Sequence, residues 1–351
     1  RRINLVCFRE LTTASKTNLF LRCSSYLYSR MAYTSTFIAI VVSLLLATAS
    51  GSLVNNFYRS TCPRAESIVK QVTRNAVRKT PALAAKLLRL HFHDCFVQGC
   101  DGSVLLDPIN GVPAEKDALP NLSLSGYDLI DQIKTAVEKA CPGVVSCADI
   151  LALAARDAVS MSFKASLWKV HTGRRDGRIS RASDTFGNLP SPFAGFSELS
   201  RIFNAKGLSN TDLVVLSGAH TLGVAHCGTF SSRLYNFSGQ GDTDPSLDTA
   251  FATSLKAKCP NPANPSTTVE LDPQSSRSFD ARYYRALVKN KGLLTSDAAL
   301  MTDSSSAAMV RQLQVNSVFF KRFATSMLKM GAIGTLTGTS GEIRTTCRVV
   351  N

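Results

Sequence analysis

Eight cysteines constrain this chain more than anything else in it. Ten occur among its 351 residues, but Cys7 and Cys23 precede an apolar run at 37–47, FIAIVVSLLLA. That run is shorter than the ~20 residues a bilayer span needs. It leads into Ala47-Thr48-Ala49, a small-residue cleavage pattern, so 31–49 reads as a secretory signal peptide. Met31 is the natural initiator, which makes 1–30 upstream sequence outside the working protein. The signal departs from type in having no Lys or Arg after Met31. The mature domain is then 50–351, with Cys62, Cys95, Cys100, Cys141, Cys147, Cys227, Cys259 and Cys347. An even set in an exported chain reads as a disulfide framework, although counting alone leaves the connectivity open.

With 44% hydrophobic and 19% charged residues the chain can bury a sizeable core. The formal net charge is +15, and removing 1–49 takes six basic and one acidic side chain to leave +10. Outside a cell that sign suits acidic polysaccharide. No Lys/Arg-rich run with interleaved aromatics supports nucleic-acid binding. Apolar residues recur at helical spacing over 62–79, 82–96, 127–140, 147–160, 196–205 and 211–222, with further helices expected at 246–258, 281–288, 307–316 and 318–330. Ser209 or Asn210 can start the helix at 211, with Asp212 as the capping-box acid. Strand signals are few. Gly, Pro, Ser and Asn gather at 107–121, 173–192 and 259–280, which read as loops. The class is mostly α.

Residues 89–107, RLHFHDCFVQGCDGSVLLD, concentrate unusual chemistry. On a helix Arg89 and His93 lie four apart and share a face, Phe92 borders it, and His91 points nearly opposite. A neutral imidazole is a good proton carrier, and a neighbouring guanidinium can stabilise developing negative charge. The plainer alternative is a histidine bonded to backbone, which is the reading for His91. A zinc site from His91, His93, Cys95 and Cys100 is disfavoured, because i, i+2 histidines diverge on a helix. Asp94, Asp101 and Ser103, with the carbonyls of Val97 and Gly99, are hard oxygen donors around a tight turn. They suit calcium, the alternative being an Asx-turn loop.

A second constellation follows downstream. His220 ends the apolar stretch LVVLSGAHTLG, either as a core residue or as a ligand to a metal or cofactor. Asp272, Ser275, Ser278 and Asp280, in DPQSSRSFD, form another oxygen-rich loop that Thr221 can join in a second calcium site. Asp297, in KGLLTSDAALM, is a carboxylate among apolar residues and so needs a partner, for which a ligand imidazole's other nitrogen is suited.

Taken together, LLRLHFHDCFVQGCDGSVLLD, CPGVVSCADILALAARDAV, GRRDG, NLPSP, DLVVLSGAHTLGVAHC, RLYNFSG, FDARYY, KGLLTSD and GEIRTTCRVVN resemble the secreted plant haem peroxidases (class III), in order, from Phe57 to Asn351. The resemblance implies a mostly helical, two-lobed fold with one haem b between a distal lobe, about 52–190 plus the C-terminal end, and a proximal lobe, about 191–320. It implies an extracellular, monomeric enzyme that reduces hydrogen peroxide and oxidises small phenolic donors of the monolignol kind in one-electron steps. His220 is the implied axial ligand of the haem iron and Asp297 its partner. Arg89, Phe92 and His93 form the distal site, and Asn121 accepts the other N–H of His93. Two calcium ions are implied. The first is held by Asp94, Val97, Gly99, Asp101, Ser103 and Glu115, the second by Thr221, Asp272, Ser275, Ser278 and Asp280. The implied pairings are Cys62–Cys141, Cys95–Cys100, Cys147–Cys347 and Cys227–Cys259, and Pro190 matches the donor-binding proline.

Three positions depart from the familiar pattern. Thr229 stands where some members have an aromatic residue, Ser275 replaces a frequent threonine, and SFKASLW at 162–168 lacks the usual Gly-Gly-Pro. Of two sequons, Asn121-Leu122-Ser123 and Asn236-Phe237-Ser238, Asn236 is the expected glycan site, since Asn121 is needed at His93. The chain ends soon after Cys347 with no further extension, which favours the cell wall and apoplast over the vacuole. A rival class is a haem-free, disulfide-rich protein of the same fold that binds wall polysaccharide.

Overall fold

Helical spacing in the sequence becomes buried stripes in the structure. In α1, Ala65–Lys79, the residues Ala65, Val69, Thr73 and Val77 recur every fourth position and are buried. The structure, a computed structural model, describes residues 52–351 apart from 263 and 274. The signal-peptide and upstream readings, with Cys7 and Cys23, fall outside the described residues. In α2, Leu83–Val97, burial spreads from a stripe at Leu87, Leu88, Leu90 and His91 to every residue from His93 onward. α3, Tyr127–Ala140, buries Leu129, Ile130, Ile133 and Val137.

The helix α4, Cys147–Val159, is buried along its whole length. Its alanines, at 148, 152, 154, 155 and 158, keep it thin enough for α1, α2 and α3 all to pack against it. Its first turn is capped twice. Ser146 Oγ accepts from the Asp149 N–H at 3.1 Å, and the Asp176 carboxylate accepts from the N–H groups of Cys147 (3.1 Å) and Ala148 (2.9 Å).

A second set follows: α5, Phe196–Ala205; α6, Asn210–Ser217; α7, Ser231–Tyr235; α8, Thr249–Lys258; α9, Arg282–Val288; α10, Thr295–Ala299; α11, Ser304–Gln312; and α12, Asn316–Met330. Here α6 is the centre, against which α5, α11 and α12 pack. Among the described residues the only named strands are β1, Val224–His226, and β2, Thr268–Glu270, paired antiparallel with Ala225 opposite Val269. The chain is mostly α, as expected. One large apolar core runs through both helix sets, joined for example where the Phe96 and Phe203 rings meet at 4.9 Å. A smaller core, with Phe230, Leu234, Phe251 and Leu255, surrounds Cys227–Cys259.

All eight cysteines among the described residues are paired: Cys62–Cys141, Cys95–Cys100, Cys147–Cys347 and Cys227–Cys259. The C-terminal segment returns to α4 through the third pair. Beside it, fully buried Arg344 donates to the carbonyls of Gly102 (2.6 Å) and Cys347 (2.7 Å).

Two helices differ from the sequence expectation in an instructive way. The stretch expected at 211–222 starts on a Ser209/Asp212 capping box, but α6 stops at Ser217 and tightens into a 3-10 turn, Gly218–Thr221. Its end is fixed by Tyr284, whose hydroxyl donates to the carbonyls of Val214 and Val215 at 3.0 Å each. Gly218 permits this approach, since a Cβ there would collide with that hydroxyl and with the Phe319 ring. The helix expected at 307–316 instead starts at Ser304, where Asp303 caps the Ser306 N–H at 2.8 Å. Three serines carry no apolar period to read. The short helices α7 and α10 were too brief to show one.

Candidate active site

The buried end of α2 carries the first half of the site. His93 is 5% exposed, and its Nδ1 lies 2.6 Å from Asn121 Oδ1. Asn121 sits on the 3-10 turn Leu119–Asn121, and its Nδ2 donates to the Glu115 carbonyl at 2.8 Å. With its amide nitrogen so engaged, its oxygen faces His93. An amide oxygen only accepts, so the His93 proton resides on Nδ1 and Nε2 is the basic nitrogen. Burial, and then the charge of Arg89, lower the His93 pKa to about 3. The imidazole is therefore neutral across the physiological range.

Arg89, one turn earlier, donates to Ser123 Oγ and to the Pro120 carbonyl, both at 2.9 Å. Neither partner was foreseen from sequence. The Phe92 ring stands edge-on to His93 at 5.3 Å and packs on Phe96 at 4.5 Å. His91 is buried away from this pair, with Nδ1 3.6 Å from Cys95 Sγ. His91, Asp94 and Cys95 come close enough to suggest a metal group. The Cys95–Cys100 disulfide consumes both thiols of that region, which removes the zinc alternative.

The second half is built on the 3-10 turn after α6. His220 Nδ1 lies 2.7 Å from Oδ1 of Asp297 in α10. Asp297 is buried; its Oδ2 accepts from the Leu294 N–H at 2.9 Å, and Oδ1 also accepts from the Tyr283 hydroxyl at 2.8 Å. Burial pushes the Asp297 pKa up, but His220 and the other donors outweigh it and hold the carboxyl below its usual range. An ionised carboxylate only accepts, so the His220 proton sits on Nδ1 and Nε2 is free to ligate. Tyr283 lies within the FDARYY run, but nothing in its spacing assigns it a role.

Two oxygen clusters flank these histidines in sequence. Asp94, Asp101, Ser103 and Glu115 are all buried, and Asp94 Oδ1, Ser103 Oγ and both carboxyl oxygens of Glu115 lack a hydrogen bond of ordinary geometry. Burial, with Asp101 beside it, drives the Asp94 pKa well up, burial raises Asp101, and burial with the neighbouring Asp charges pushes Glu115 to about 9. Orphaned buried acceptors and crowded carboxyl groups fit a divalent cation. In the other cluster the Thr221 hydroxyl reaches Asp272 Oδ2 (3.3 Å) and the Ser278 carbonyl (3.4 Å), while the Ser275 hydroxyl reaches Asp272 Oδ2 (3.0 Å) and Asp280 Oδ1 (3.3 Å). All five expected oxygen donors thus converge, again a hard-donor set.

Pro190 lies half-buried in the segment between the 3-10 turn Ala182–Thr185 and α5, a segment that also carries the exposed Phe186 and Phe193. Thr229 donates to the His226 carbonyl at 2.6 Å. Asn236 is exposed just beyond α7, whereas Asn121 is 1% exposed. No helix among the described residues is long and apolar enough to cross a membrane.

Comparison with known proteins agrees with this chemistry. A family model described as Peroxidase matches residues 69–316. Peroxidase 24 of Arabidopsis thaliana is 52% identical over 307 residues, covering 86% of this chain and 88% of that protein. Peroxidase 27 of the same plant is 52% identical over 311 residues, with 88% and 95% covered. Peroxidase 1 of Oryza sativa subsp. japonica is 48% identical over 323 residues, with 89% and 98% covered.

Proposed function

The chain belongs to the class III family of plant peroxidases and is a haem peroxidase that reduces hydrogen peroxide at the expense of donor substrates; we propose that His93, Arg89 and His220 carry that reaction. His220 Nε2 would hold the iron of one haem b, with the helix sets carrying His93 and His220 as its distal and proximal lobes. A haem held there would supply the redox chemistry, two-electron toward peroxide and one-electron toward donors. His93 Nε2 takes the proton of the incoming peroxide and returns it to the departing oxygen, so that water leaves rather than hydroxide. Arg89, held by Ser123 and Pro120, stabilises the negative charge on that oxygen. Asn121 keeps His93 in the tautomer that can act as a base. Phe92 shields it from bulk water. Asp297 orients His220 and raises its donor strength.

The observation that carries this reading is the pairing of each imidazole's Nδ1 with a buried acceptor. An amide at His93 leaves a neutral base, while a carboxylate at His220 makes an electron-rich ligand. Two calcium ions complete the site, one on Asp94, Asp101, Ser103, the carbonyls of Val97 and Gly99 and, through its carboxyl, Glu115, the other on Thr221, Asp272, Ser275, Ser278 and Asp280. Small phenols are the donors, meeting the protein at Pro190, whose segment also carries the exposed apolar rings of Phe186 and Phe193. The protein acts outside the cell as a monomer, carries a glycan on Asn236, and its basic surface suits acidic wall polysaccharide, an attachment that salt would weaken.

The test uses the haem-loaded protein. His93→Ala should keep the Soret band and slow peroxide consumption by about 10²–10⁴-fold. His220→Ala should lose haem. The reverse pattern would exchange the two roles. A purified protein with no Soret band would return the haem-free wall-binding alternative, which the family match does not favour.

A further inference from the structure

Asp297 Oδ1 receives two donors at once, the Nδ1–H of His220 at 2.7 Å and the hydroxyl of Tyr283 at 2.8 Å. Tyr283 is 2% exposed, and its ring stands edge-on to the His220 imidazole, 5.9 Å between centroids. The adjacent Tyr284 is as deeply buried but directs its hydroxyl to the backbone of α6. Two neighbouring phenols of the same size therefore serve different partners. A phenylalanine would fill the space of either. What the hydroxyl of Tyr283 adds is a second proton competing for the oxygen that His220 uses.

We propose that Tyr283 is a positioning residue that limits how strongly Asp297 draws on the His220 N–H, and so sets the electron density His220 offers to the haem iron. A phenol donating to a carboxylate withdraws charge from the accepting oxygen and weakens its other hydrogen bond. Without that phenol the imidazole moves toward imidazolate, a stronger donor that favours ferric over ferrous iron. The FDARYY run thus contributes one phenol to the end of α6 and the other to the electronics of the ligand. The inference rests on the proposed roles of His220 and Asp297.

The test compares the haem-loaded wild type with Tyr283→Phe, Tyr284→Phe and Asp297→Asn, reading the ferric/ferrous potential and the iron–imidazole stretching frequency of the ferrous form. Tyr283→Phe should shift the ferric/ferrous ratio about three- to tenfold toward ferric, at most ~59 mV for a one-electron couple, with a higher stretching frequency. Asp297→Asn should move both readouts the opposite way, and Tyr284→Phe should move neither. If Asp297→Asn shifts both but Tyr283→Phe shifts neither, Tyr283 only packs, and the proposal fails while the ligand reading stands. If neither variant shifts them, the ligand reading falls and the proposal with it. Should Tyr283→Phe fold poorly, replacing Tyr283 with 3-fluorotyrosine, nearly isosteric and a stronger donor, should raise the potential, and no shift would again overturn the inference.

Discussion

Asn121 links three features with one side chain: its oxygen fixes the His93 tautomer, its nitrogen holds the Glu115 carbonyl, and its burial closes off the first sequon. Asn121→Val should lower the peroxide-consumption rate by about 10–100-fold while haem content stays constant, as loss of an orienting partner does elsewhere. Peptide mapping by mass spectrometry should find Asn121 bare. The same buried environment makes a pH prediction. With a pKa of about 3, His93 is protonated, and so unable to take a proton, only in strong acid. The acid limb of the peroxide-consumption rate should therefore fall near pH 3, well below the ~6.5 of a free imidazole. A stopped-flow rate profile with its limb near 6.5 would mean that His93 is solvated. At this scale the sequence was informative where a residue's neighbours in the chain define its chemistry, as with the helical pair Arg89 and His93. It was silent on Ser123 and Pro120, and on the role of Tyr283, because those contacts join groups 31 to 34 and 14 positions apart, with no periodic trace.

Among the elements, the expected bounds of 127–140 and 196–205 coincide with α3 and α5, whose apolar stripes run unbroken from end to end. The end of α6 was illegible because a tyrosine from α9 decides it. The loop that leaves α2 is a further case: oxygen donors could be counted, but not their crowding. Without a cation that crowding has a thermodynamic consequence. Glu115 has a folded-state pKa of about 9, above its ordinary 4.5, so the folded chain binds a proton there that the unfolded chain releases. Its contribution is fully present below about pH 4.5 and is lost as pH rises toward 9. Asp94 and Asp101 are shifted in the same direction. A calcium ion bound there as proposed would supply the missing positive charge and remove that loss. Chelation should therefore lower Tm slightly at pH 5 and by ~5 °C or more at pH 8, measured by calorimetry with and without added calcium. A chelation effect equal at both pH values would show that the cation sits elsewhere.

For the whole molecule, the decisive feature is how the C-terminal end closes on the first helix set. Arg344 joins the Gly102 carbonyl, in the loop proposed to hold calcium, to the Cys347 carbonyl, and its backbone N–H donates to Asp176, which caps α4. The backbone of Asp176 pairs with Glu342 and that of Arg175 with Leu336. None of this could be read from the eight cysteines, whose count is compatible with many pairings; only the resemblance to a family suggested the partners. The two bridges near the loop proposed to hold calcium should behave differently when removed. Cys147–Cys347 spans 200 residues and Cys95–Cys100 spans 5. By loop-closure entropy the long bridge contributes about 5 kcal/mol and the short one about 2 kcal/mol. Replacing Cys147 and Cys347 together by serine should thus lower the unfolding free energy in urea by the larger amount, with a further loss if the Arg344 contacts open as well. Replacing Cys95 and Cys100 should lower it less, yet it frees the backbone between Asp94 and Asp101 and so should reduce bound calcium, measured by metal analysis after dialysis. Equal calcium loss in both double variants would mean that the C-terminal clasp, rather than the short bridge, shapes the loop.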